Sequence, residues 1–136
     1  MLNFFSKNKF HVLTILIILF AIFIRFYKLG DIPHGMTWDE AAIGYNGFAI
    51  FNTRRDEWLV QLPVSFQSFG DYKAPFSIYL NGFFTFIFGM NLFAVRLPFA
   101  IFSILSIFGL ILLVKEIFKK NKLANYYALY SGFLIS

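Results

Sequence analysis

Apolar residues run almost unbroken from Phe10 to Phe26, from Phe76 to Val95 and from Leu97 to Phe118, while polar positions collect between Gly30 and Pro75. The first run approaches the ~20 residues a membrane-crossing helix needs, and Lys7 and Lys9 precede it. No small-x-small cleavage pattern follows it, and the chain continues directly into Arg25, Phe26, Tyr27, Lys28, Leu29 and Gly30. This favours a retained first span with a cytoplasmic amino end over a removed signal peptide. Arg25 can then snorkel to the far interface, with Tyr27 in the aromatic belt.

The stretch that follows changes period. Thr37 and Glu40 have the spacing of a capping box, in which hydroxyl and carboxylate each satisfy the other residue's backbone N–H. Trp38, Ala41, Ala42, Tyr45, Phe48 and Ala49 then recur near helical spacing, which predicts a helix from Thr37 to about Asn52 lying on the membrane surface. Residues 52–70 carry turn chemistry and predict irregular chain.

Arg96 and Pro98 separate the last two long apolar blocks. If both blocks crossed the membrane, Lys115, Lys119, Lys120 and Lys122 would fall outside, against the positive-inside tendency. An interfacial or re-entrant 76–95 returns that cluster to the side of Lys7 and Lys9, and Asn81, Gly82, Gly89 and Asn91 already weaken 76–95 as a span. The expected organisation is a first span at about 10–27, an extracytoplasmic segment at 28–96 with juxtamembrane helices, a second span at 97–118, and the start of a third at 123–136. Ala124–Ser136 is too short to cross a bilayer, so the chain reads as the amino-terminal part of something longer. The fold class is all-α and integral to the membrane.

Composition sharpens this reading. Hydrophobic residues make up 59% of the chain and charged ones 14%, with 21 phenylalanines and a mean hydropathy of +0.68, values outside those of an ordinary water-soluble globule. The absence of cysteine removes disulfides, thiolate metal sites and cysteine nucleophiles. The net charge of +5 comes from dispersed residues flanking apolar runs, so it points to topology rather than to nucleic acid. His11 and His34 lie on opposite sides of the first span, and His34 with Asp31 and Asp39 lacks the spacing of a metal site. No phosphate-binding glycine loop is present. No metal and no cofactor are expected.

Acids beside a bilayer are costly to desolvate and therefore invite a functional reading. Two clusters stand out: Thr37-Trp38-Asp39-Glu40, and Gly70-Asp71-Tyr72-Lys73-Ala74-Pro75. The ordered set is longer still. It comprises Pro33, Gly35, Trp38, Asp39, Glu40, Ala41, Gly44 and Asn46; then Asp56-Glu57, Leu62-Pro63 and Phe69 to Pro75; then Phe88-Gly89 and Phe93 to Pro98. Each motif alone is weak, but together and in this order they resemble the amino-terminal part of the GT-C superfamily. The nearest group is the protein O-mannosyltransferases and aminoarabinose transferases, glycosyltransferase family 39 and its relatives.

The resemblance implies a polytopic GT-C bundle of the plasma membrane whose first outer loop holds juxtamembrane helices. It implies inverting transfer of a sugar from a polyprenyl-phosphate donor to a protein, lipid or glycan acceptor on the extracytoplasmic face. A positioned carboxylate can take the acceptor hydroxyl's proton, and one base with one departing phosphate suffices for inversion, unlike retaining hydrolysis. Asp39 is the expected base, with Glu40 orienting it or the acceptor. The competing view of both acids is a favourable charge at a helix amino end, and it is stronger for Glu40. Lys73, in a lysine-proline motif altered here by Ala74, is expected to meet the donor phosphate; otherwise it anchors the next apolar block. Arg96 is a second phosphate candidate, or a topology-setting arginine. Trp38, Asp71 and Tyr72 are supporting residues. Arg54, Arg55, Asp56 and Glu57 read as a solvated charge run. The functional alternative is a truncated, non-catalytic membrane protein or polyprenyl-phosphate-binding subunit. A transporter would need polar residues within the spans, which are almost absent.

Overall fold

The computed structural model describes the backbone of residues 2–136 and the side chains from residue 9 onward; the side chain of Lys7 lies outside the described residues. In chain order the elements are α1 (Leu2–Phe26), α2 (Trp38–Thr53), β1 (Phe66–Ser68), β2 (Asp71–Lys73), α3 (Pro75–Phe88), α4 (Leu92–Ile117) and α5 (Ala124–Leu134). Among the described residues two helices are long and apolar enough to cross a membrane: Lys9–Phe26 within α1, with a mean hydropathy of 2.2, and α4, with 2.7. At 1.5 Å per residue α4 is about 39 Å long, which exceeds a hydrocarbon core of ~30 Å. The 14 residues of α3 span only about 21 Å.

The chain divides into two compact units, α1 with Ala100–Ser136, and Lys28–Phe99. In the first, Phe10, Ala21, Ile107, Ile111 and Ala128 form a buried cluster shared by α1, α4 and α5. Gly132 allows close contact there, since a Cβ at that position would meet the Ile111 side chain at 2.5 Å. Arg25 does not reach out from the helix end as expected of a snorkelling residue. Its guanidinium donates to Ser103 Oγ and to the carbonyls of Ile135 and Ser136, because these oxygens of α4 and of the residues just after α5 lie within its reach.

In the second unit α2 packs on α3 through two glycines. A Cβ on Gly47 would lie 2.7 Å from both Gly82 N and Ile78 O, and one on Gly82 would lie 2.5 Å from Gly47 O. Backbone therefore meets backbone, as in small-residue helix contacts. Ile50, Phe66 and Ile78 close the core beside this contact.

The described residues are mostly helical, consistent with the all-α expectation, and carry one small antiparallel hairpin, in which β1 and β2 pair Phe66 with Lys73, Gln67 with Tyr72 and Ser68 with Asp71. Phe69 (φ 53°) and Gly70 (φ 80°) turn it, the two positive φ values that a tight two-residue hairpin requires. The helix α4 begins at Leu92, where Asn91 Oδ1 accepts the Ala94 N–H at 2.9 Å. Pro98 lies inside the helix, where it removes one backbone donor. Nearby, the buried Asn81 Nδ2 donates to Val95 O at 2.7 Å.

The segment 54–63 is also more ordered than its turn chemistry suggested. Asp56 is buried, and its Oδ1 accepts the N–H groups of Trp58 (2.9 Å) and Val60 (2.8 Å). Asn46 of α2 accepts the Glu57 N–H at 3.0 Å and donates to Glu57 Oε1 at 3.2 Å. The charge run expected to be solvated is therefore partly a structural turn, since a buried carboxylate is retained where backbone donors satisfy it.

Candidate active site

The amino end of α2 forms as the sequence predicted. Thr37 Oγ1 accepts the Glu40 N–H at 3.2 Å and Glu40 Oε2 accepts the Thr37 N–H at 2.9 Å. This cap fixes the first helical turn and so projects Asp39, whose side chain is 76% exposed.

The hairpin brings Lys73 to that turn. Lys73 stands opposite Phe66 in the ladder, a residue of the buried core, and its own side chain is only 11% exposed. Its Nζ lies 2.6 Å from Asp39 Oδ1 and 3.3 Å from Asp71 Oδ2. A ring contact supports the same approach: Trp38, beside Asp39, lies 5.7 Å from Phe69 at the hairpin tip. Residues 34 positions apart in sequence thus form an acid–base pair, held by the pair itself and by an aromatic contact next to it.

Electrostatics follow the geometry. The hydrogen bond to Asp39 holds the Lys73 ammonium above its ordinary value, partly opposed by burial and assisted by Asp71. Asp71 is held below its ordinary value, first by the Tyr72 backbone N–H and then by Lys73. The Tyr72 side chain is itself exposed.

Glu40 has other partners. Arg96 Nε donates to its Oε1 at 2.6 Å, and Arg96 Nη2 to its Oε2 at 3.2 Å. Arg96 also donates to the carbonyls of Leu29, Pro33 and Gly35. Five hydrogen bonds match the five N–H groups of a guanidinium, so this arginine is fully occupied inside the protein. The Arg96 hydrogen bond holds the Glu40 carboxyl below its ordinary value, with burial opposing and the Thr37 backbone assisting.

The structure therefore brings Asp39, Lys73 and Asp71 together and seats Trp38 beside them, while Glu40 and Arg96 form a separate clasp on the 29–35 segment. A phosphate contact by Arg96 would require it to release a partner it already holds. Sequence reasoning missed Asn46 and Asp56 as organisers of the loop. The Asn46 signal was a polar residue on the face of α2 that also carries Ala42 and Gly47; Asp56 gave none beyond the turn residues around it. Among the described residues no three His, Cys, Asp or Glu side chains gather in a way that could hold a metal ion.

The described residues are mostly helical and include two helices long and apolar enough to span a membrane, with the Asp39–Lys73 pair between them in sequence. Residues 72–135 match the family model described as dolichyl-phosphate-mannose-protein mannosyltransferase, which supports a mannosyltransferase-like glycosyltransferase. The match includes Lys73 and Arg96 and begins after Asp39 and Glu40. No curated protein and no solved structure matches the chain.

Proposed function

We propose that this chain supplies the base and the phosphate-facing cation of a membrane glycosyltransferase that moves a sugar from a polyprenyl-phosphate donor to an acceptor hydroxyl, with inversion, on the extracytoplasmic face. The observation that carries this reading is the 2.6 Å contact between Lys73 Nζ and Asp39 Oδ1, two residues singled out for complementary roles in one displacement. Asp39 is the exposed member and takes the acceptor's proton as the new glycosidic bond forms. Lys73 neutralises the single phosphate as it departs. A point-charge ammonium suits that role, and Pro75, which starts α3, stiffens the chain just beyond it.

The ion pair also suggests how the two roles are ordered. While Lys73 Nζ holds Asp39 Oδ1 at 2.6 Å, that oxygen is occupied by the ammonium rather than open to the acceptor hydroxyl. A donor phosphate competing for the ammonium loosens that hold and leaves Asp39 to the acceptor. Glu40 and Arg96 act in this reading as positioning residues that fix the turn carrying Asp39.

The test is transfer in membranes expressing the whole open frame that contains these residues, with polyprenyl-phosphate mannose as probe and release of free polyprenyl phosphate as readout. Asp39→Asn is expected to lower transfer by roughly 10²–10⁴-fold. Lys73→Ala is expected to weaken donor binding more than Lys73→Arg. Wild-type transfer by Asp39→Asn at normal membrane abundance would remove the base assignment.

A further inference from the structure

We propose that the basic groove where α4 turns into α5 is a binding site for the phosphate headgroup of an anionic phospholipid. Lys115, Lys119 and Lys122 line an open groove of about 590 Å³, with Glu116 the one acid among its lining residues. Three ammonium groups facing one carboxylate leave an excess of positive charge. Glu116 is already paired with Lys119, so the excess resides chiefly on Lys115 and Lys122. Lys115 is held in place, its Nζ lying 4.1 Å from the centroid of the buried Phe10 ring. A cation fixed in this way loses little freedom when it meets an anion.

Polar and apolar linings argue for a lipid rather than a free anion. Asn121 and Asn125 contribute amides to the groove. Asn121 Oδ1 accepts the Leu123 N–H at 2.9 Å, which leaves its NH₂ as the donor end. Leu112, also in the lining and half exposed, lies towards the middle of the candidate span, where an acyl chain would run. The groove thus combines lysines at the end of a 26-residue apolar helix with an aliphatic surface one turn deeper. Basic clusters at that depth attract anionic headgroups by about 1 kcal/mol per residue, roughly fivefold in binding.

This inference rests on α4 crossing the membrane, which is tested separately by retention of the chain in membranes after an alkaline wash. For the groove, the full chain in neutral detergent is mixed with equimolar phosphatidylglycerol and phosphatidylcholine, and the lipid retained on the purified protein is quantified by mass spectrometry. Phosphatidylglycerol is expected to be enriched about 25-fold, roughly fivefold for each of Lys115 and Lys122. The Lys115→Gln/Lys122→Gln variant should lose about fivefold per lysine, Lys115→Arg/Lys122→Arg should keep the enrichment, and Arg55→Gln in the other unit should not change it. Equal retention of the two lipids would overturn the proposal, and so would loss of the enrichment when inorganic phosphate is added to the wild type at the same concentration as the lipid. Should the glutamine variant misfold by circular dichroism, the arginine variant and the phosphate competition still decide the matter.

Discussion

Replacing Arg96 by methionine removes all five donors of the clasp at the start of α4 while keeping an apolar side chain of similar length. Two of those bonds go to Glu40 and three to the carbonyls of Leu29, Pro33 and Gly35. Pro33 and Gly35 are exposed and Leu29 is half-buried, so water replaces most of what those carbonyls lose and they contribute little. Glu40 is different: its side chain is 22% exposed and that of Arg96 only 7%. Breaking a fully buried pair costs about 3–5 kcal/mol, and the partial exposure of Glu40 reduces this to about 2–3 kcal/mol, or 30- to 150-fold in the folding equilibrium. Both tryptophans, Trp38 and Trp58, lie in the unit that Arg96 clasps, so denaturant unfolding of the chain in detergent can be followed by their fluorescence. Arg96→Lys, which keeps the charge but not the fork, should fall between wild type and Arg96→Met. A double-mutant cycle with Glu40→Gln should show a coupling of about 1–2 kcal/mol. Stability of Arg96→Met within about 0.5 kcal/mol of wild type, or strict additivity in the cycle, would refute the reasoning.

The same clasp predicts a pH dependence. The Glu40 carboxyl is held below its ordinary value of 4.5, so the native state binds its proton less readily than the unfolded state. Its contribution is complete above that value and is lost as pH falls through the lowered one; the gap between wild type and Arg96→Met should therefore be constant from neutral pH to about 5 and close in stronger acid. Gly82→Ala should cost about 1–3 kcal/mol, because its Cβ would meet the Gly47 carbonyl at 2.5 Å and backbone cannot yield. Gly132→Ala meets side-chain atoms of Ile111 at 2.5 Å and of Ile17 at 3.8 Å rather than backbone and gains helix propensity, so it should lower the thermal midpoint less than Gly82→Ala. Asp56→Ala should cost about 1–3 kcal/mol by leaving the Trp58 and Val60 N–H groups without their acceptor. Its readout is a red shift of Trp58 emission as the Trp58 Nε1 bond to Gln67 O loosens.

Much of the helical framework was legible in the chain because its signals are local. Unbroken apolar runs mark α1 and α4, and a Thr and a Glu three residues apart mark the start of α2, since hydrophobic period and capping depend on neighbours in sequence. The motif order from Pro33 to Pro98 pointed to one glycosyltransferase group, and the family match over residues 72–135 supports it. Asp39 and Lys73 were legible as chemistry but not as a pair, since no local rule connects residues that far apart. Their 2.6 Å contact exists because a hairpin turned at Phe69-Gly70 returns Lys73 to the amino end of α2. Tertiary structure alone also decided which groups surround Arg96. A guanidinium beside an apolar run reads equally well as a snorkelling residue, a topology signal or a phosphate ligand, and only the fold determined which five acceptors surround it. Asp56 gives the same lesson in the opposite direction: within Arg54-Arg55-Asp56-Glu57 it is indistinguishable from surface charge, and burial follows from a turn that closes over it through its own backbone donors. Sequence determined which segments are apolar, where α2 starts and which residues can do chemistry; distance and desolvation, which set what charged groups do to one another, were decided by the fold.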